Sequence, residues 1–135
     1  MFGKNAKIEL LKGVPLFAEC SKRELASIAQ IADEIDFPAG RTLIEEGKPG
    51  REFFVIVAGT VEVRRGGRKL TQRGDSNYFG EIALLTGKPR NATVTTTSPI
   101  RALVVSDRAF KGLLQDIPSL APKLLTTLAA RLPQD

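Results

Sequence analysis

Histidine is absent from the 135 residues, and cysteine occurs once, as Cys20. Without imidazole there is no Ser-His-Asp triad, no Cys-His pair and no His-rich metal site, which disfavours most enzyme classes. The chain is therefore read as a non-enzyme, with no catalytic residue and no metal. A lone cysteine forms no intramolecular disulfide, which fits a reducing compartment. Cys20 itself reads as a small, partly buried hydrophobe. No segment approaches the roughly eighteen consecutive apolar residues of a membrane span. The stretch from Met1 to Lys7 has basic residues but no apolar run behind them, so no signal peptide is expected. These absences point to a cytoplasmic chain with no internal repeat and no low-complexity segment.

The length is that of a single domain, and 42% apolar with 26% charged residues is ordinary for a globular one. Lys and Arg exceed Asp and Glu by 20 to 15, a mild net charge of +5 that suits an anionic ligand of any size. The one basic cluster, Arg64, Arg65, Arg68, Lys69 and Arg73, reads as the solvated surface of a hairpin that resists aggregation. Neither an interleaved aromatic platform nor a recognition helix accompanies it, so no direct DNA binding is expected.

Hydrophobic periodicity divides the chain into helical ends and a strand-rich middle. Residues 5–12 read as a short helix, broken at Gly13-Val14-Pro15. Ser21-Lys-Arg-Glu24 has capping-box spacing and opens a helix with Leu25, Ile28, Ala29 and Ala32 at i, i+3, i+4 and i+7, ending near Asp33. From 34 to 105, short β-branched and aromatic runs are punctuated by Gly and Pro every eight to twelve residues, as in a sandwich or barrel. Strands are expected at Arg41–Glu45, at Glu52–Val57 and Thr60–Arg64 joined through Ala58-Gly59, and at Asn91–Thr97 and Ile100–Val105 as a last pair broken at Ser98-Pro99. Gly66-Gly67 closes a hairpin because primed turns need positive φ. Such close spacing leaves no room for crossover helices, so the sheet is antiparallel. Helices return over 107–115 and over 118–132, where Pro122 must lie in the first turn and Leu120, Leu124, Leu125, Leu128 and Leu132 are placed on one side. The fold class is mainly β with flanking helices (α+β). One domain spans 1–135: N-terminal helices to 33, a β-roll over 34–105, and C-terminal helices over 106–135.

One segment breaks the strand rhythm, Asn77 to Val94. Gly80 permits close approach of the backbone. The amides of Ile82 and Ala83 at a helix N-terminus are donors suited to a phosphate. Arg90, nine residues after Glu81, carries a planar fork able to hold two phosphate oxygens. A carboxylate beside a bound anion must be aimed at hydroxyls, so Glu81 with Arg90 reads as a ribose acceptor with a phosphate donor.

Phe79-Gly-Glu-Ile-Ala-Leu-Leu85, four residues, then Arg90-Asn-Ala-Thr-Val94 resembles the phosphate-binding cassette of the cyclic nucleotide-binding domains, and the likeness covers almost the whole chain. Phe37-Pro-Ala-Gly40, Glu45-Glu-Gly47 and Gly59-Thr-Val-Glu-Val63 match other parts of that family's pattern. Ser76-Asn77 departs from the Gly-Asp that many members carry there. The resemblance implies an antiparallel, jelly-roll-like β-roll with a short cassette helix, the cassette running over 79–94. It implies that Glu81 binds the ribose 2′-hydroxyl, that Arg90 binds the exocyclic phosphate oxygens, and that Gly80, Ile82 and Ala83 contribute backbone groups. The candidate ligand-binding residues are Phe79, Gly80, Glu81, Ile82, Ala83, Arg90, Asn91, Ala92 and Thr93, with the rings of Tyr78 and Phe79 read as core aromatics. Asn91 stands where members preferring cGMP often carry threonine, which tilts the expected ligand toward cAMP over cGMP.

Two functions stay open at this point. In the first, the chain is a cyclic nucleotide sensor whose flanking helices pass occupancy to a protein effector or to the remainder of a larger chain, with a homodimer through the C-terminal helices as a further possibility. In the second, the β-roll binds no nucleotide and serves as a protein-interaction scaffold with the leucine stripe as its docking face.

Overall fold

The computed structural model describes residues 4–75, 77–80 and 86–131. The chain divides into two compact units, one of residues 33–107 and one of residues 1–32 with 108–135.

Among the described residues the first unit holds eight strands: β1 (Asp33–Phe37), β2 (Thr42–Ile44), β3 (Glu52–Ala58), β4 (Val61–Arg65), β5 (Arg68–Arg73), β6 (Tyr78–Phe79), β7 (Thr93–Thr96) and β8 (Ile100–Ser106). They form two four-stranded sheets, in the orders β1-β8-β3-β6 and β2-β7-β4-β5. Every pairing is antiparallel. Alternate residues of the strands supply one core, built on Ile44, Phe54, Ile56, Val61, Val63, Phe79, Ala92, Val94, Ile100 and Ala102. Phe54 stacks on Phe79 at 4.9 Å between ring centroids and meets the edge of Phe37 at 6.2 Å.

The roll corrects one sequence expectation. Residues 91–97 and 100–105 do not pair with each other: β7 lies in one sheet and β8 in the other, and β3 and β4 are divided in the same way. The two connecting corners meet instead. Gly59 has φ +108, and a Cβ there would stand 2.6 Å from the Pro99 carbonyl and from Cγ2 of Ile100. The Thr60 amide donates to Ser98 Oγ (3.0 Å) and the Thr97 amide to the Thr60 carbonyl (3.0 Å). Ser98-Pro99 and Ala58-Gly59 are thus places where the chain changes sheets, which a pattern of short runs and breaks cannot distinguish from hairpin turns. Gly66-Gly67 does close a hairpin: Arg65 faces Arg68 across the two glycines, at φ 58 and 78.

The second unit contains α1 (Lys4–Lys12), a 3₁₀ turn at Pro15–Phe17, α2 (Lys22–Ile31), α3 (Asp107–Asp116, of which residues from Arg108 belong to this unit) and α4 (Leu120–Arg131). The capping box at α2 is formed: Glu24 N donates to Ser21 Oγ (3.1 Å), and Ser21 N to Glu24 Oε1 (2.8 Å). The helix ends at Ile31, short of Asp33, because Ala32 is already extended (ψ 129) and Asp33 pairs with Val104 in β1. Pro122 falls in the first turn of α4. The leucines of α4 do not form one stripe: Leu120 and Leu124 are buried, while Leu125 is 58% exposed. One residue along a helix turns about 100° away, so Leu125 leaves the face of its neighbour. The side chains of Leu128 and Leu132 lie outside those described. Among the described residues, no helix is long and apolar enough to cross a membrane.

Candidate ligand-binding site

Arg90 is the centre of the site. Its side chain is buried, with the residue only 7% exposed. Nη1 donates to the Gly80 carbonyl at 2.7 Å, and Nη2 to the Glu52 carbonyl at 2.5 Å. A buried guanidinium is costly unless its donors are matched, and here backbone oxygens from two separate strand ends hold its fork. Its own backbone is fixed as firmly: the Arg90 amide donates to the Lys48 carbonyl (2.8 Å), and the Gly47 amide donates to the Arg90 carbonyl (2.9 Å). The loop between β2 and β3 therefore holds the arginine's main chain, while β3 and the end of β6 hold its head.

Gly80 follows β6 with φ +94. A Cβ there would lie 3.0 Å from Nη1 of Arg90, 3.0 Å from Cδ1 of Ile44 and 3.2 Å from the Glu52 carbonyl. The position requires glycine twice over, for its dihedral and for the closeness of the arginine.

The arm that follows Arg90 is held from the β4–β5 hairpin. Arg65 Nε donates to the Asn91 carbonyl (2.8 Å). The Glu46 amide donates to Thr93 Oγ1 (3.0 Å), and Glu46 Oε1 in turn accepts from the Gly66 amide at the hairpin tip (2.9 Å). Next to these, Arg64 forms a two-pronged pair with Glu62 (2.9 and 3.0 Å), which holds the Glu62 carboxyl below its usual range.

The expected site residues fare differently. Gly80 and Arg90 are brought together, and Thr93 stands half-buried at the end of the arm with its hydroxyl engaged by Glu46. Asn91 is exposed. The side chains of Phe79 and Ala92 belong to the core of the roll, so only their backbones are left to face a ligand. The alternation that buries Val94 in β7 buries Ala92, just ahead of the strand, as well, and Phe79 is covered by its stack on Phe54. Glu81, Ile82 and Ala83, and with them the short cassette helix, lie outside the described residues. So does Ser76. Three contributors were not foreseen: the Glu52 carbonyl, Glu46 and Arg65. Arg65 was visible only as part of a basic cluster, because its partner lies 26 residues away.

Among the described residues no group of three or more His, Cys, Asp and Glu is placed to hold a metal. Cys20, in the helical unit, has its thiol pushed up to about 11 by burial and by Glu24, and so stays protonated at neutral pH. An open depression between Phe37, Val57 and Pro99 lies at the corner where the chain changes sheets and includes none of the arm residues.

The chain is similar to proteins of known kind. A CRP-like cAMP-activated global transcriptional regulator of Mycobacterium tuberculosis is 32% identical over 129 residues, spanning 92% of this chain and 58% of the regulator. A cAMP-dependent protein kinase regulatory subunit of Mycosarcoma maydis is 40% identical over 117 residues, or 78% of this chain and 22% of the subunit. The chain thus corresponds to only part of these curated relatives. Among solved structures, the N-terminal domain of a transcriptional regulator from Streptomyces coelicolor A3(2) superposes with a TM-score of 0.78 at 31% identity, covering 93% of this chain and 90% of that one. Residues 34–116 match the family model of the cyclic nucleotide-binding domain, and the chain belongs to that family.

Proposed function

We propose that this chain binds cAMP at the arm around Arg90 and reports its occupancy to a protein effector, acting as a non-catalytic regulatory module of the cytoplasm. The observation that carries the reading is the buried Arg90 guanidinium, oriented by the Gly80 and Glu52 carbonyls at the end of a backbone-anchored arm. A singly charged phosphodiester is the natural complement of such a preset cation, since the entropy of ordering the fork has been met before the ligand arrives. Glu81 next to Gly80 supplies the carboxylate for a ribose hydroxyl. The M. tuberculosis regulator, which is cAMP-activated, and the M. maydis subunit of a cAMP-dependent kinase favour that nucleotide over cGMP. Occupancy shifts the protein only by the difference in affinity between its two arrangements. We assign the output to α3 and α4, where exposed Leu125 offers an apolar contact to an effector or to a second copy of the chain.

Titration calorimetry of nucleotide-free protein with cAMP and cGMP tests the proposal. The expected result is binding of cAMP that Arg90→Ala weakens by about 2–5 kcal/mol, a loss of roughly thirty-fold or more. Unchanged affinity in that variant removes Arg90 from the site. Absence of heat with both nucleotides overturns the reading and leaves a non-binding β-roll that docks proteins.

A further inference from the structure

The arm that carries Arg90 is held at three successive places. At Arg90 the main chain is bonded twice to the 47–48 loop. At Asn91 the carbonyl accepts from Arg65 Nε, a charge-assisted bond of 2.8 Å. At Thr93 the hydroxyl accepts from the Glu46 amide (3.0 Å), and the Glu46 carboxylate accepts from Gly66 (2.9 Å). Two of these three restraints lead back to one element, the tip of the β4–β5 hairpin. The sheet makes this possible: β4 pairs with β7, placing Arg64 opposite Thr93, so Arg65 stands one step further on, level with the arm. Two glycines of positive φ close the hairpin at that level, which presents the Gly66 amide to Glu46.

We infer that Arg65, with Glu46, is a positioning residue for the phosphate-binding arm. It touches no nucleotide. By holding the Asn91 carbonyl it fixes the Asn91–Ala92 peptide, the second after Arg90, and so restrains the stretch of main chain from which the arginine projects. The hairpin thereby acts as a strap that preorganises the arm and raises affinity without adding a contact. Arg68 serves as the internal comparison. It lies on the same hairpin, is exposed and carries the same charge, yet among the described residues it makes no bond to the arm. The bearing of the strap on affinity rests on the proposed nucleotide binding; its hold on the arm does not.

The test compares wild type, Arg65→Ala and Arg68→Ala by cAMP calorimetry, by thermal unfolding and by amide hydrogen exchange of residues 90–93 in nucleotide-free protein. Loss of one exposed charge-assisted bond predicts cAMP affinity about three- to tenfold weaker in Arg65→Ala. Arg68→Ala stays within about twofold of wild type, since an exposed charge that is not bonded to the arm is screened by solvent and salt. Exchange at 90–93 quickens several-fold in Arg65→Ala alone, with its unfolding midpoint within about 2 °C of wild type. Equal weakening in both variants means that only charge was lost, and it overturns the inference. Unchanged exchange at 90–93 overturns it as well, as does faster exchange with unaltered affinity. If wild type binds neither cAMP nor cGMP, the proposed function fails on its own, and the exchange comparison alone decides whether Arg65 holds the arm.

Discussion

At Gly80 a single hydrogen in place of a methyl group decides where a guanidinium rests. The residue has φ +94, and a Cβ would press on Nη1 of Arg90 at 3.0 Å and on the Glu52 carbonyl at 3.2 Å. Gly80→Ala must therefore strain the backbone and displace the arginine together. The expected loss of stability is about 1–3 kcal/mol, measured by urea unfolding, and cAMP affinity should fall by more than tenfold in calorimetry. A stable variant with unaltered affinity would mean that Arg90 does not need its seat on the Gly80 carbonyl. From the sequence, a glycine followed by an acid and an arginine suggested close approach to a ligand. The group that approaches most closely is the protein's own arginine. The two stand ten positions apart, and their spacing in the family pattern does not reveal the bond between them.

At the scale of elements, local signals were readable and their distant partners were not. Ser21 and Glu24 form the capping box that their three-residue spacing predicts, because a helix start is a local matter of unpaired amides. Glu24 is also buried, and its carboxylate accepts from Lys123 Nζ (2.7 Å) and from Ser119 Oγ (2.9 Å) at the start of α4. These partners lie almost a hundred residues away. The Lys123 bond first, then the Ser21 amide, lowers the Glu24 carboxyl from 4.5 to about 2. A depressed folded-state value stabilises the protein above the unfolded-state value, and that contribution is lost as pH falls from about 4.5 toward about 2. Glu24→Gln should cost about 1–3 kcal/mol at neutral pH and flatten the acid limb of stability over that window, as followed by chemical denaturation at a series of pH values. An acid limb identical to wild type would show that the clasp between α2 and α4 contributes nothing.

For the whole molecule, the prediction concerns mass action. A ligand that binds only the folded chain stabilises it by about 2.7 kcal/mol at a hundredfold excess over Kd. For a protein of this length that is a rise of roughly 5–15 °C in Tm. Thermal scans with and without cAMP should show such a rise in wild type and no more than about a third of it in Arg90→Ala at the same concentration. An equal rise in both would place binding away from the arm.

Among the described residues, the helical ends, the Gly66-Gly67 hairpin and most of the strands were legible in the sequence alone, because helix periodicity, capping, paired glycines and β-branched runs act over a few residues. The family pattern around Gly80 and Arg90 was readable for the same reason. Only the tertiary structure decided which strands share a sheet. β7 and β8 read as a hairpin and lie in opposite sheets, since the Gly59 and Pro99 corners pack on one another. The continuous burial of Phe53 to Ile56 in β3 also erases the alternation that marks a face. Long-range closure decided the rest of the site: the seat of Arg90 on the Gly80 and Glu52 carbonyls, and the hold of Arg65 on Asn91. Each of these bonds joins residues that only the folded roll brings within 3 Å.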